Sequence, residues 1–107
     1  MELAFDSKPL RTICESEAQA KLELGIKVAE ILKHRLADLR AAASPKDLLA
    51  GHPQIGEDRQ HMVITLCDGH RIVFKANHTN NPMTTNNELD WARISRIKIL
   101  RIESDHA

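Results

Sequence analysis

The feature that most constrains this chain is an Asp68-Gly69 pair between two runs rich in β-branched residues, at 61–67 and 70–76. A two-residue Asp-Gly link favours a type I′ turn, because that turn needs positive φ angles at both central positions. Two strands of this length that are joined by so short a turn form hydrogen bonds with each other. The sequence therefore predicts a β-hairpin in the second half of the chain.

Counting outward from a two-residue turn gives an expected register for this hairpin. The expected pairs are Cys67 with His70, Leu66 with Arg71, Ile64 with Val73, and Met62 with Lys75. Side chains alternate between the faces of a strand, so this register also divides the residues into two faces.

One expected face carries His61, Val63, Thr65, Cys67, His70, Ile72, Phe74 and Ala76, and the other carries Met62, Ile64, Leu66, Arg71, Val73 and Lys75. We assign the first face to the helices, because Val63, Ile72 and Phe74 match an aliphatic helical stripe. We then expect the second face to hold both long basic side chains of the hairpin, Arg71 and Lys75, side by side.

The residues before the hairpin predict a strand followed by helices. Glu2 to Phe5 is a short strand candidate, and residues 8–23 are helical in pattern, with a restart at Ser16 and a break at Gly25. A longer helix follows, whose apolar positions recur at helical spacing: Val28, Ile31, Leu32, Leu36, Leu39 and Ala43. Ser44-Pro45 ends it, and a single short helical turn follows.

The residues after the hairpin predict a loop and one more strand. Residues 77–90 are polar and asparagine-rich, which indicates a long loop whose far end Trp91 anchors, and residues 96–102 form the last strand. The sequence as a whole predicts one α+β domain over residues 1–107. In it, an N-terminal strand and two to three helices pack on one face of a small, mainly antiparallel sheet of about four strands.

Charge bears on function through its distribution. The chain has 15 Lys and Arg and 15 Asp and Glu, so its formal net charge is zero. That balance argues against a protein that coats nucleic acid by charge alone. Between Arg59 and Arg101, however, seven basic residues stand against three acidic ones. The predicted sheet is therefore the basic part of the molecule.

Several classes of site have no sequence signal. Cys14 and Cys67 lie far apart and outside any Cys-x-x-Cys pattern, so neither a zinc site nor a disulfide framework is indicated. The six histidines show no metal-ligand spacing, and we expect neither a metal nor another cofactor. The first residues have no signal-peptide pattern and no apolar run is long enough to span a membrane, so a cytoplasmic location without membrane contact is expected.

Short motifs along the chain resemble the RelE/ParE superfamily of toxins, and in particular its HigB-like members, also called plasmid-maintenance killer proteins. The matching stretches are Ala43-Ser44-Pro45-Lys46-Asp47-Leu48, His52-Pro53, the hairpin from Asp68 to Lys75, and the acidic, His-containing end from Glu103 to His106. The similarity covers nearly the whole chain except 77–90, which looks like a loop insertion. The order of elements, strand, helices, hairpin and strand, also resembles the RelE arrangement.

The resemblance implies the toxin of a type II toxin–antitoxin system, a ribosome-dependent endonuclease that cuts messenger RNA and inhibits translation. Its implied partners are mRNA on the ribosome and a helix-turn-helix antitoxin, with which it would form a complex such as a heterotetramer. Two alternatives stay open. One is a ParE-like toxin that inhibits DNA gyrase. The other is a catalytically degenerate homologue that acts only in an antitoxin complex repressing its operon.

RNA cleavage through the 2′-hydroxyl needs a base, donors for the phosphate charge and an acid for the leaving oxygen. Arg71 is the expected phosphate clamp, because its planar guanidinium binds two phosphate oxygens. The full expected catalytic set is Arg71, Lys75, His106, Asp105 and His61, and the expected RNA-binding set is Arg59, His52, Arg96, Lys98 and Arg101. The chain departs from the family at Ile55, where HigB toxins have lysine, and at Asp105, where tyrosine is frequent.

Overall fold

The computed structural model describes residues 1–105 and has an α+β architecture with three α-helices and one five-stranded sheet. The strands are β1 (Glu2–Phe5), β2 (Gln54–Ile55), β3 (His61–Thr65), β4 (His70–Ala76) and β5 (Arg96–Ser104). The helices are α1 (Lys8–Glu15), α2 (Glu17–Leu24) and α3 (Ile26–Ala41), and short 3-10 turns cover Pro45–Asp47 and Trp91–Arg93.

The sheet has the strand order β1-β5-β4-β3-β2, with β1 parallel to β5 and the other pairings antiparallel. It is mainly antiparallel, as predicted, but has five strands where about four were expected. The additional strand, β2, is only two residues long and pairs with Met62 and Val63 at the sheet edge. A strand of two residues is too short to show the alternation of apolar and polar residues from which strands are predicted.

The helical boundaries follow local sequence signals. The Ser7 and Ser16 hydroxyls accept hydrogen bonds from the backbone N–H groups of Leu10 and Gln19, which caps α1 and α2. The predicted restart at Ser16 is therefore confirmed. Gly25, with φ of +86°, separates α2 from α3, because a positive φ is accessible to glycine at little cost.

The hydrophobic core lies between the helices and one face of the sheet, here called the inner face. From α3, the buried residues are Val28, Ala29, Leu32, Leu36 and Leu39, and from the sheet they are Met62, Ile64, Leu66, Ile72, Phe74, Ala76, Ile97 and Ile99. Trp91 closes one end of this core, with its ring edge-on to Phe74 at a centroid separation of 6.3 Å. Its predicted anchoring role is confirmed.

The predicted hairpin is present, but its register differs from the expected one by one residue. Asp68 and Gly69 both have positive φ, and the His70 N–H donates to the Cys67 carbonyl, as a type I′ turn requires. Beyond the turn, however, the Leu66 N–H donates to the His70 carbonyl, so Cys67 is an extra residue on β3.

This bulge reverses the face predicted for β3. Thr65 lies opposite Arg71, and His61 lies opposite Lys75. Met62, Ile64 and Leu66 therefore point into the core, whereas His61 and Val63 lie on the opposite, outer face. The faces predicted for β4 were right, and those predicted for β3 were wrong, because a counted register has no means of including a bulge.

A second irregularity lies in β5, where the register with β4 shifts between Val73 and Phe74. Leu100 is the extra residue. Ile97 and Ile99 are buried on the inner face before it, and Arg101 and Glu103 face outward after it, opposite Val73 and Arg71. The bulge thus keeps Lys98 and Arg101 on the same outer face although they are three residues apart.

The segment 77–90 is a loop with local structure. A single bridge joins Met83 to Leu89, and the Thr84 N–H donates to the Glu88 carbonyl over 2.7 Å. The Arg93 guanidinium donates to the Met83 carbonyl over 2.6 Å, which ties the loop to the turn that follows it. These bonds give the loop a defined position beside the open end of the hairpin.

Candidate functional site

The outer face of the sheet carries a transverse row of cationic or titratable side chains. His61 on β3 lies opposite Lys75 on β4, and Lys75 lies opposite Lys98 on β5. Like charges directly opposite each other in neighbouring strands repel. This arrangement is favourable only when an anion lies between the strands or the charges are well solvated, so the row is a candidate anion-binding site.

His61 is oriented by a carboxylate in the turn that precedes β3. Its Nδ1 atom forms a short contact with Asp58 Oδ2, and Asp58 Oδ1 accepts hydrogen bonds from the backbone N–H groups of Gln60 and His61, at 3.0 and 3.2 Å. The Gln60 N–H and then the His61 ring hold the pKa of Asp58 below its usual value. The carboxylate thus stays ionised and orders the imidazole.

Sequence reasoning missed Asp58. The detectable signal was its position three residues before His61 in a Gly-Glu-Asp-Arg-Gln stretch, where an Asp side chain bonds the following backbone N–H groups. That local turn is what brings the carboxylate back onto the ring.

Lys75 is the most accessible cation of the row. It is exposed, and within residues 1–105 no carboxylate forms an ion pair with it. Lys98, by comparison, lies 3.7 Å from Asp6. A lysine without such a partner is available to contact an external anion.

Arg71 has a different environment from the one expected of a phosphate clamp. Its Nε atom donates to Glu103 Oε1 over 2.7 Å, and its Nη1 atom forms a short contact with Asp105 Oδ1. Asp105 and then Glu103 raise the pKa of the guanidinium. Two carboxylates thus occupy donors that a phosphate would use.

The expectation that Arg71 and Lys75 lie side by side was wrong. They share the outer face, but Val73 stands between them on β4. Four residues of extended strand separate their Cα atoms by about 13 Å. The expected catalytic residues therefore form two groups, His61 with Lys75 at the open end of the hairpin and Arg71 with Asp105 at its turn end.

The remaining expected residues are spread around the sheet. On β5, Arg96 lies 3.3 Å from Glu2, and Arg101 lies 2.8 Å from Glu103, whose pKa is lowered by Arg101 and then by Arg71. Arg59 is an exposed residue of the turn before β3, with φ of +63°.

The sequence also singles out His52, Ile55 and His106. His52 is exposed in the loop before β2, also with positive φ. Ile55 lies in β2 and packs against the core, so it presents no charge to the outer face. His106 lies outside the described residues.

Neither the cysteine thiol of Cys14 nor a metal site offers an alternative reactive centre in the described part of the chain. Cys14 lines a cavity of about 280 Å³ between α1, α2 and α3, where burial raises the pKa of its thiol to about 11. A thiol of that pKa is protonated at neutral pH and is a weak nucleophile. In the described part of the chain, no three His, Cys, Asp or Glu side chains come together as a metal site.

Comparisons with protein-family models, with curated proteins and with solved structures each found no match to this chain. None of the helices within residues 1–105 combines the length and the apolar character needed to cross a membrane.

Proposed function

We propose that this chain is an RNA-cleaving toxin of a type II toxin–antitoxin pair, which cuts messenger RNA on the ribosome in the manner of the RelE/HigB toxins that its motifs resemble. The observation that carries the proposal is the row on the outer face, where a carboxylate-oriented His61 lies directly opposite Lys75, which has no carboxylate partner within residues 1–105. A base beside a cation is the minimum that cleavage through a 2′-hydroxyl requires.

The proposed chemistry assigns one role to each member of the row. Asp58 accepts a hydrogen bond from Nδ1–H of His61, which leaves the lone pair of Nε2 to take the proton of the 2′-hydroxyl. The 2′-oxygen attacks the adjacent phosphorus and the bond to the 5′-oxygen breaks, giving a 2′,3′-cyclic phosphate. The Lys75 ammonium stabilises the phosphorane charge and gives its proton to the leaving 5′-oxygen, and solvent restores it.

Binding of the RNA backbone would extend along the same face. Lys98 continues the row across β5, and Arg101 lies on the next row, opposite Val73. Phosphate contacts of this kind position a nucleic acid without reading its sequence. In this proposal Arg71 does not clamp the scissile phosphate, because Glu103 and Asp105 already hold it.

The partner is proposed on the resemblance alone. It would be a helix-turn-helix antitoxin that binds the toxin and blocks its access to the ribosome, in a heterotetramer or a related complex. The proposed location, the cytoplasm, follows from a target on translating ribosomes.

The test uses controlled expression of the chain and of two variants, His61→Ala and Lys75→Ala. We expect growth arrest and new 5′ ends within translated mRNA for the wild-type chain. With purified ribosomes and mRNA, His61→Ala should reduce the cleavage rate by about 10²–10⁴-fold. Lys75→Ala should reduce it by about 10²-fold.

The matched control for His61 is His34→Ala, since His34 is also paired with a carboxylate, Glu30 at 3.4 Å, but lies on α3. It should retain full activity. Arrest with intact mRNA, together with filamentation and DNA damage, would instead identify a gyrase-directed toxin. Normal growth and intact mRNA on expression of the wild-type chain would contradict any toxin function.

A further inference from the structure

A cavity of about 300 Å³ lies beside the proposed catalytic pair. It opens at the end of the hairpin farthest from the turn, and its lining residues are Gln60, His61, Lys75, Ala76, Asn81 and Leu89. This volume is at the lower end of the range for small-molecule sites. We propose that this cavity is a nucleobase subsite that selects the base of the nucleotide placed at His61, an inference that rests on the proposed function.

The composition of the walls favours a neutral planar heterocycle. Ala76 and Leu89 belong to the hydrophobic core and give the cavity an apolar side. Gln60 and Asn81 add side-chain amides, which pair with the donors and acceptors on the edge of a base. No carboxylate of the described residues lines the cavity, so the ligand needs no positive charge.

The position of the cavity fits the rest of a nucleotide. His61 and Lys75 line it and also form the transverse row, so a base in the cavity would bring its own ribose and phosphate to these two side chains. An imidazole ring is also a surface on which a base can stack. The cavity thus continues the proposed catalytic pair.

The orientation of Asn81 gives the site a preference. Its Oδ1 atom accepts a hydrogen bond from the His78 N–H over 2.9 Å, which commits the oxygen to the protein and leaves the amide NH₂ as a donor. A donor favours bases with an exocyclic carbonyl oxygen. Adenine has no carbonyl oxygen and offers this donor only ring nitrogens, so the site should favour the carbonyl-bearing bases uracil, guanine and cytosine over adenine.

The loop 77–90 supplies this selective residue and holds it in place. The bridge between Met83 and Leu89 and the bond from the Asp90 N–H to the Pro82 carbonyl, at 2.9 Å, close the loop directly behind Asn81. The subsite is thus formed before the ligand arrives, which lowers the ordering cost of binding.

The test measures binding of four RNA tetramers that differ only in one base, each with a 2′-deoxy sugar at that nucleotide so that cleavage cannot occur. For the wild-type protein we expect the uracil, guanine and cytosine tetramers to bind about fivefold more tightly than the adenine tetramer, the difference expected from one net hydrogen bond. Asn81→Asp replaces the free NH₂ donor with an acceptor but retains the oxygen for His78. It should shift the preference towards adenine.

The matched control is Asn80→Asp, which places the same charge on the neighbouring, exposed residue that does not line the cavity. It should lower all four affinities alike and leave their order unchanged. Equal wild-type affinities for the four tetramers, or an unchanged order in Asn81→Asp, would overturn the subsite. Because these RNAs are not cleaved, the result is independent of the mRNA-cleavage test, and either proposal can fail alone.

Discussion

Lys75 and Lys98 lie directly opposite each other on β4 and β5, on the outer face of the sheet. Lys98 has a carboxylate 3.7 Å away in Asp6, whereas no carboxylate of residues 1–105 pairs with Lys75. An arrangement that is unfavourable for the isolated protein is typical of a surface that binds an anion. Removing the charge of Lys75 should therefore have opposite effects on stability and on anion binding.

Lys75→Gln should weaken RNA binding while leaving the fold slightly more stable. Removing one of two opposed positive charges should raise the free energy of unfolding by a few tenths of a kcal/mol. Losing one phosphate contact should reduce the slope of log affinity against log salt by about 0.7 for single-stranded RNA. Urea denaturation and fluorescence anisotropy at several salt concentrations measure the two effects.

The control for this charge is Lys21→Gln, an exposed lysine on α2 in the helical layer. It should leave RNA affinity and its salt slope unchanged. If Lys75→Gln lowered stability and left binding unaltered, Lys75 would be a structural residue of the sheet.

Asp58→Asn should change the pH dependence of stability. The pKa of Asp58 is lowered below its ordinary value of 3.8, chiefly by the Gln60 N–H and next by His61. The ionised carboxylate therefore stabilises the folded state above pH 3.8, and this contribution is lost as the pH falls through the lowered folded-state pKa. Wild type should be more stable than the variant near neutral pH, with the difference vanishing in acid.

Urea titrations at a series of pH values measure this difference. A constant difference between wild type and Asp58→Asn from neutral to strongly acid pH would show that the carboxylate's charge contributes nothing. Cleavage assays at neutral pH should also show a lower rate, since the variant no longer holds the His61 ring by an ionic hydrogen bond.

Glu103→Gln should increase RNA binding at a cost in stability. Glu103 pairs with Arg71 at 2.7 Å and with Arg101 at 2.8 Å, so its charge neutralises two guanidinium groups of the outer face. Removing this charge frees Arg101 and leaves Arg71 paired with Asp105 alone, which should raise RNA affinity and steepen its salt dependence, and the midpoint of unfolding should fall. Anisotropy titrations against salt give the first result and thermal melting the second.

Glu17→Gln is the matched control for this variant. It breaks one ion pair, with Lys33 at 2.6 Å, in the helical layer and far from the sheet face. It should leave RNA affinity unchanged. Equal RNA affinities of Glu103→Gln and wild type would mean that Arg101 does not contact RNA.

Gly51→Ala should be strongly destabilising. Gly51 has φ of +85°, and an added Cβ would lie well inside van der Waals distance of Ile64 Cγ2 in the core. Gly25 has nearly the same φ, +86°, but nothing lies within 4 Å of an added Cβ, so Gly25→Ala reports the backbone cost alone. We expect a loss of about 1–3 kcal/mol at Gly25, whose backbone lies in a region almost restricted to glycine, and a further loss of about 1–3 kcal/mol at Gly51.

Chemical denaturation of both variants gives the comparison directly. Equal losses at Gly25 and Gly51 would show that the loop before β2 moves away from Ile64 at no cost. In that case the loop would no longer lie close to β3, and the hydrogen bond from the Thr65 N–H to the Gly51 carbonyl, 2.7 Å long in the structure, would be lost in Gly51→Ala.

Local signals in the sequence determined most of the elements. The serine caps and Gly25 set the starts of the helices, and Asp68-Gly69 set the turn of the hairpin, because each acts through the backbone of its immediate neighbours. The prediction that α3 includes Ala43 and ends at Ser44-Pro45 was wrong, because α3 ends at Ala41 and Ser44 instead begins the short 3-10 turn. Alternation along β4 was sufficient to put Phe74 inward and Arg71 outward.

Tertiary structure alone decided which side chains meet. The bulges at Cys67 and Leu100 move the neighbouring residues by one position, which reverses the face predicted for β3 and places Lys98 opposite Lys75. The two bulges are stabilised because they bury Ile64 and Ile99. This hydrophobic burial depends on helices that are distant in sequence. Likewise, only the folded chain brings Glu103 and Asp105 to Arg71. Ion pairs between residues distant in sequence produce no periodic pattern from which they could be predicted.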